Sequence, residues 1–413
     1  MANASDQLLE DHWRSLALAA GKVFTPTSPI NGLDLFAGRE EQVRQIVDVI
    51  NQDGQHAILY GERGVGKTSL ANVVSSFLGT QKVLSPRVNC DASDTFDSIW
   101  RKAIEQAGIT QEHNGIGFTA QTSFSILGAS ELLGGIATPD SVRRCLTKLS
   151  QHFIPVFVID EFDRLGAEPR RAFADCIKAL SDHNVKATVL LVGVAESVDQ
   201  LITEHQSVQR ALAQVRMPRM SSEELESLLV KGCEKLGVTI QSTAKHRIVK
   251  LSQGLPHYAH LLALHAVRSA LDSKNSEVTT DAVHAALERA LTSTQQSVLT
   301  MYETAVRSAK KDNLFGKVLL ACALAETNEL GEFAAQDVRN HLSNIAGRKL
   351  EIPSFAQHLK EFTEDKRGPV LLKTGIPRLY RYKFLEPLLQ PYVIMQGIRS
   401  KLIKMTDLDM PAA

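Results

Sequence analysis

Gly61-Glu62-Arg63-Gly64-Val65-Gly66-Lys67-Thr68 is the stretch on which the reading of this 413-residue chain turns. It fits the spacing of glycine, four residues, then Gly-Lys-Ser/Thr, with the apolar run Ala57-Ile58-Leu59-Tyr60 before it and a helix-compatible stretch, 69–78, after it. The glycines let backbone N–H groups turn inward around phosphate oxygens, and the start of the following helix adds its partial positive charge. Lys67 is expected to reach the β and γ phosphates of a nucleoside triphosphate, and the Thr68 hydroxyl to help hold Mg²⁺. The expected cradle comprises Gly61, Glu62, Arg63, Gly64, Val65, Gly66, Lys67, Thr68 and Ser69. The competing reading is a glycine-rich strand-to-helix turn with an exposed lysine.

A second pair of residues fits the first. Pro155-Val156-Phe157-Val158-Ile159 has the pattern of a buried strand and ends in Asp160-Glu161. Two acids thus arrive at the carboxyl edge of a sheet, where open α/β folds place their ligands. Asp160 is expected to serve Mg²⁺ through its water shell, and Glu161 to polarise the attacking water. The alternative is a pair of solvated acids capping the helix that begins near Arg164. Asp163 reads as a cap or salt-bridge partner.

Working outward, five strand-like runs, 56–60, 83–90, 155–160, 187–192 and 214–217, alternate with amphipathic stretches. This predicts an α/β fold with a five-stranded parallel sheet flanked by helices. Before it, 8–20 has helical spacing and 24–31, with Pro26 and Pro29, reads as an extended connector. Residues 108–139 lose the pattern and read as an insertion or loop. After Met220 come four helical stretches, 222–236, 242–251, 257–271 and 280–291, with no convincing strand among them, which suggests an α-helical lid. Further helices from Ser297 lead to 370–372 and 379–384, flanking a turn at 373–378 as a β-hairpin would. Three helices and a hairpin suggest a winged helix. The expected division is a helical extension 1–30, a core 31–218, a lid 219–295, a winged-helix domain 296–405 and a tail 406–413.

Bulk properties set limits. Lys plus Arg equals Asp plus Glu at 46 each, so no overall positive field draws in DNA or an acidic membrane, and any polyanion site must be local. Hydrophobic residues at 44% and charged residues at 22% are ordinary for globular proteins, which argues against disorder. Cys90, Cys145, Cys176, Cys233 and Cys322 are scattered and lack a CxxC pair, which argues against a disulfide framework or zinc site and for a reducing compartment. Asp6, Glu10 and Asp11 stand where a secretory leader needs positive charge. Apolar runs such as 189–195 fall far short of the roughly 20 residues that cross a bilayer. The expected location is cytoplasmic, with no membrane partner.

With these residues in place the chain resembles the AAA+ superfamily of P-loop ATPases, and within it the initiator-type clade and the related signal-transduction ATPases called STAND. Leu35-Phe36-Ala37-Gly38-Arg39-Glu40 is similar to the family's box over the adenine base, which implies nucleotide contact by Gly38 and Arg39; a simple helix start is the alternative. Arg210 stands where the family carries an arginine finger that serves a neighbouring subunit, which implies a nucleotide-dependent homo-oligomer. A surface arginine at a helix end is the other reading. Gly254-Leu255-Pro256-His257 resembles the Gly-x-Pro signature of STAND proteins, which implies nucleotide contact by Pro256 and His257. Many AAA+ members have arginine at the position of His257, so the departure implies a slow ATP-hydrolysing switch rather than a rapid motor. At the end of the fourth strand, 192–197 lacks a clear Asn or Thr sensor.

The carboxyl-terminal part carries a local charge excess. Residues 310–404 hold 16 Lys or Arg against 10 Asp or Glu. Lys366, Arg367, Lys373, Arg378, Arg381 and Lys383, with Tyr380 and Tyr382 interleaved, suit phosphate contacts by a wing. Lys373, Arg378 and Arg381 are the chief expected DNA contacts. The expected recognition helix, 354–363, carries His358 and Lys360 but also Glu361, so base readout is weakly written there. Docking of a protein partner, or packing alone, are the alternatives.

Overall fold

Helical periodicity at the amino terminus extends beyond the expected stretch: α1 runs Ala4–Val23. The computed structural model describes residues 4–26, 38–77, 83–108, 110–114, 122–126, 128–195, 198, 206–309, 313–328, 330–377 and 379–408. Contacts divide the chain into two units: one joins Pro29–Glu62 to Gly66–Met217, the other Met1–Ser28, Arg63–Val65 and Pro218–Ala413.

In the first of these, α2 (Glu40–Ile50) precedes β1 (His56–Gly61) and α3 (Lys67–Phe77). Then come β2 (Val83–Leu84), β3 (Arg87–Asn89), α4 (Phe96–Ala107), the hairpin strands β4 (Thr110–Asn114) and β5 (Thr122–Ile126), α5 (Ala129–Leu133) and α6 (Pro139–Leu149). The unit finishes with β6 (Ile154–Asp160), α7 (Ala167–Asp182), β7 (Thr188–Val194), α8 (Gln206–Ala211) and β8 (Leu212–Arg216). The main sheet is parallel throughout, in the order β2-β6-β7-β1-β8, with β3 also on β6. The second of the five expected strands is therefore two. Pro86, which has no N–H to give a ladder, stands at the break, and its carbonyl accepts from Val158 N at 3.0 Å.

Burial explains why the carboxyl ends of these strands are held firmly. Six residues of β6, Pro155 to Asp160, are buried, and Phe157 packs against Trp100 of α4 with ring centroids 5.1 Å apart. Phe173 of α7 meets Phe96 at 5.0 Å and Phe162 at 5.4 Å. Offset or edge-to-face pairs of this kind add roughly 0.5–1.5 kcal/mol each beyond the area they bury. The amino ends of α4 and α6 are fixed by Thr95 and Thr138, each bonded reciprocally with the serine three residues on. The weakly patterned stretch 108–139 holds an antiparallel β4–β5 pair in register Thr110↔Ile126 to Asn114↔Thr122, which the sequence reading did not foresee.

The second unit is mainly helical. It holds α1, then α9 (Ser222–Lys235), β9 (Thr239–Ile240), α10 (Ser242–Ser252), α11 (Pro256–Asp272), β10 (Glu277–Val278) and α12 (Thr280–Thr292). The strands β9 and β10 form a two-stranded parallel pair where none was expected; each is two residues long, below any periodicity. Beyond them lie α13 (Gln296–Val306), α14 (Phe315–Leu324), β11 (Phe333–Ala334), α15 (Ala335–Ala346), α16 (Ala356–Glu361), β12 (Leu371–Thr374), β13 (Arg381–Phe384) and α17 (Leu389–Arg399). The strands form an antiparallel sheet in the order β11-β13-β12, so helix, strand, two helices and a hairpin follow in the order of a winged helix. The expected recognition helix is smaller than read: a single turn, Ile352–Ser354, then the six residues of α16. Among the described residues, no helix is long and apolar enough to cross a membrane.

Candidate nucleotide-binding site

The loop after β1 owes its path to two glycines, Gly64 with φ 85° and Gly66 with φ 94°, values that side chains with a Cβ resist. Lys67 opens α3 with 8% of its surface exposed, and its Nζ donates to the carbonyls of Gly61 at 2.9 Å and Glu62 at 2.7 Å. The ammonium group thus lies folded over the entry of the loop. One residue on, Thr68 Oγ1 donates to Asp160 Oδ2 at 2.9 Å, which joins the glycine-rich turn to the end of β6. Ser69 follows in the first turn of α3.

Asp160 is 3% exposed and its two oxygens are well supplied with donors. Oδ1 accepts from Glu161 N at 2.8 Å, and Oδ2 accepts from Arg87 Nη2 of β3 at 2.9 Å as well as from Thr68. Glu161 has φ 56° and ψ 35°, the left-handed region, which costs a residue with a side chain on the order of 1–3 kcal/mol. That turn swings Glu161 out of the strand direction into a half-exposed position, where Arg164 pairs with it at 2.8 Å. Asp163, expected as a cap or pair partner, accepts through Oδ1 from Val194 N at 2.7 Å. The end of β7, the place of the family's first sensor, is therefore held by an acid from the turn after β6.

The donor set suits a magnesium-bound triphosphate: a loop with positive-φ glycines, a lysine, a hydroxyl and a buried carboxylate bonded to that hydroxyl. Burial, then the charges of Asp94 and Asp160, push the neighbouring Cys90 thiol up to about 12, so it has no thiolate chemistry to offer here.

The remaining expected residues fall in several places. Gly38 and Arg39 are both left-handed, with φ 72° and 66°, and Arg39 is buried at the start of α2; Leu35, Phe36 and Ala37 lie outside the described residues. Arg210 is exposed at the end of α8, just before β8. In the helical unit, Gly254 has φ 75°, and a Cβ there would stand 2.7 Å from the Arg219 Cβ, so the Gly-x-Pro turn has a steric reason. Pro256 is the first residue of α11. His257 Nδ1 lies 2.8 Å from the Pro26 carbonyl, and burial holds its pKa below the usual histidine value, with that carbonyl acting the other way. Arg63, which groups with this unit, pairs there with Glu386 at 3.0 Å.

On the hairpin, Lys373 and Arg381 are exposed, the Lys373 ammonium lying 3.4 Å from the Tyr380 ring centre; Arg378 lies outside the described residues. Other expected phosphate contacts are corrected by the structure. Arg367 is occupied by Glu361 at 3.0 Å, by the Ala305 and Arg307 carbonyls and by the Phe315 ring beneath its guanidinium. Lys383 is 8% exposed, and Tyr382 is buried against Phe333. Sequence reasoning also missed Arg87, Asn89 and Arg164. Arg87 and Asn89 flank the buried Val88 in a strand, and two polar residues on one face beside a carboxylate strand are the signal that was there to read.

A family model described as novel STAND NTPase 1 matches residues 31–359. Among solved structures, the Walker-type ATPase PABY2304 of Pyrococcus abyssi is similar with TM-score 0.55 and 16% identity, over 89% of this chain and 98% of that one. The Aeropyrum pernix ORC2 protein, solved as ADPNP–ADP complexes, is similar with TM-score 0.50 and 16% identity, over 92% of this chain and 98% of that one. No curated protein matches. At such identity the two structures speak for the fold alone, and the family model, spanning most of the chain, speaks for descent. The chain shares its fold with these two ATPases, and it belongs to the novel STAND NTPase 1 family.

Proposed function

We propose that the protein is a slow ATP-hydrolysing switch whose nucleotide state governs engagement of DNA or a protein through the carboxyl-terminal module. The observation that carries this reading is the 2.9 Å bond from Thr68 to Asp160, which brings the phosphate loop and the acid-bearing strand into one site. Thr68 and Asp160 would hold Mg²⁺, which when bound offsets phosphate charge. Lys67 would leave the Gly61 and Glu62 carbonyls for phosphate oxygens, and Glu161 would orient water once released from Arg164. Adenine is supported by the ADPNP and ADP complexes of the ORC2 neighbour. In this scheme Gly38, Arg39, Pro256 and His257 contact nucleotide, and Arg210 serves a neighbouring subunit.

The proposed organisation is the helical extension 1–30, the nucleotide core 31–218, the lid 219–295, the winged-helix domain 296–405 and the tail 406–413. The test is calorimetry with ATP and Mg²⁺, together with turnover and mass on the same samples. Lys67→Ala is expected to abolish nucleotide uptake. Unchanged uptake by folded Lys67→Ala protein would exclude the site.

A second reading, a signalling or defence regulator that acts on a protein without touching DNA, is favoured by the wing tip. Ile376 is 64% and Leu379 70% exposed there, while Arg367 and Lys383 are taken up internally. Retention of duplex DNA that weakens with salt and with Arg381→Ala decides for the first reading; no retention decides for the second.

A further inference from the structure

We propose that Arg87 is a positioning residue for the metal: it braces Asp160 so that this carboxylate meets a divalent cation through water rather than directly. The inference rests on the nucleotide-binding reading above and assigns a role to a residue outside both motifs.

The guanidinium has three side-chain partners. Arg87 Nη2 donates to Asp160 Oδ2 at 2.9 Å and to Asn89 Oδ1 at 3.2 Å, while Nη1 donates to Asn72 Oδ1. Asn72 lies on α3, the helix that follows the phosphate loop, and Asn89 pairs with Asp160 in the β3–β6 register. One planar guanidinium thus ties the loop's helix, the edge strand and the metal carboxylate, a geometry that the flexible point charge of lysine does not reproduce.

The lone pairs of Asp160 decide what is left for a cation. An ionised carboxylate offers about four acceptor positions. Glu161 N takes one on Oδ1; Thr68 and Arg87 take both on Oδ2. Direct coordination through Oδ2 would break the Thr68 bond, the Arg87 bond or both, whereas the free position on Oδ1 can accept from a cation-bound water. The guanidinium also offsets most of the carboxylate charge in a pair whose side chains are 23% and 4% exposed, where screening is weak. The charge offset weakens attraction for every divalent cation, whereas the occupied lone pairs disfavour those that shed water readily, such as Ca²⁺ and Mn²⁺, relative to Mg²⁺, which dehydrates reluctantly.

The test is fluorescence titration of the full chain with mant-ATP against Mg²⁺, Mn²⁺ and Ca²⁺, with turnover measured beside it. In Arg87→Ala the half-saturating Ca²⁺ and Mn²⁺ concentrations should fall about three- to tenfold and that of Mg²⁺ by less, while Mg²⁺-supported turnover falls about tenfold. Arg87→Lys keeps the charge and loses the fork, so its half-saturation should stay within about twofold while turnover still falls. Should Arg87→Ala melt below the assay temperature, Arg87→Gln carries the same charge test. Metal half-saturation that is unchanged or weaker in folded Arg87→Ala, or shifted equally for all three cations, overturns the brace. Wild-type protein that gives no metal-dependent mant-ATP signal overturns the nucleotide reading itself, and the brace with it.

Discussion

The carboxylate turn after β6 and the basic hairpin at the carboxyl terminus were both read from charged residues, and they fared differently. At the turn, Thr68 and Arg87 meet at Asp160, and Arg164 pairs with Glu161. At the hairpin, Arg367 and Lys383 are used to hold the module together, and of the chief expected contacts only Lys373 and Arg381 are described and exposed. A motif encodes geometry because its residues are fixed by one strand and one turn. A charge count encodes composition, and composition is silent on which charges the fold consumes.

Four measurements sharpen or break that contrast. Phe162, fully buried between the two acids Glu161 and Asp163, should anchor the turn: Phe162→Ala is expected to cost about 3–5 kcal/mol by denaturant unfolding. A cost below about 1 kcal/mol would mean that packing does not fix the acids. Glu161→Gln should lower ATP turnover by about 10²–10⁴-fold, while calorimetric nucleotide affinity changes little. A parallel loss of affinity would show that the acid binds rather than activates.

Arg367→Ala should destabilise by about 1–3 kcal/mol, against about 0.5 kcal/mol or less for Arg381→Ala, and equal values would erase the distinction between consumed and available charges. The smallest effect concerns His260 of α11, whose ring nitrogens have no hydrogen-bond partner among the described residues and whose pKa burial, then the charge of His257, lowers to about 4. The folded state therefore resists protonation that the unfolded state accepts below about 6.5, so stability is lost as pH falls from there towards 4. His260→Leu should gain on the wild type by about 1–2 kcal/mol between pH 7 and pH 5, seen in paired melting curves; a pH-independent difference would contradict it.

What was legible in the sequence was what the chain encodes locally. The phosphate loop, the acid pair and the four long helices after Met220 rest on spacings within a few residues. The break at Pro86 was in plain view but is a small effect inside an apolar run. The β4–β5 hairpin was hidden because Thr110–Asn114 has no apolar residue and so no alternation to detect. Arg87 carried only a local signal, two polar residues on one strand face; that it meets Asp160, 73 residues further on, depends on strand pairing. The role of Asp163 at the β7 edge depends likewise on a contact spanning 31 residues.

That last contact has a mechanical meaning. Beyond the point where β6 and β7 stop pairing, the backbone ladder has nothing further to join them, yet the Asp163 carboxylate reaches across and grips Val194 N. The turn at 160–164 is therefore tied to the tip of the adjacent strand by a hydrogen bond that lies past the last rung of the ladder.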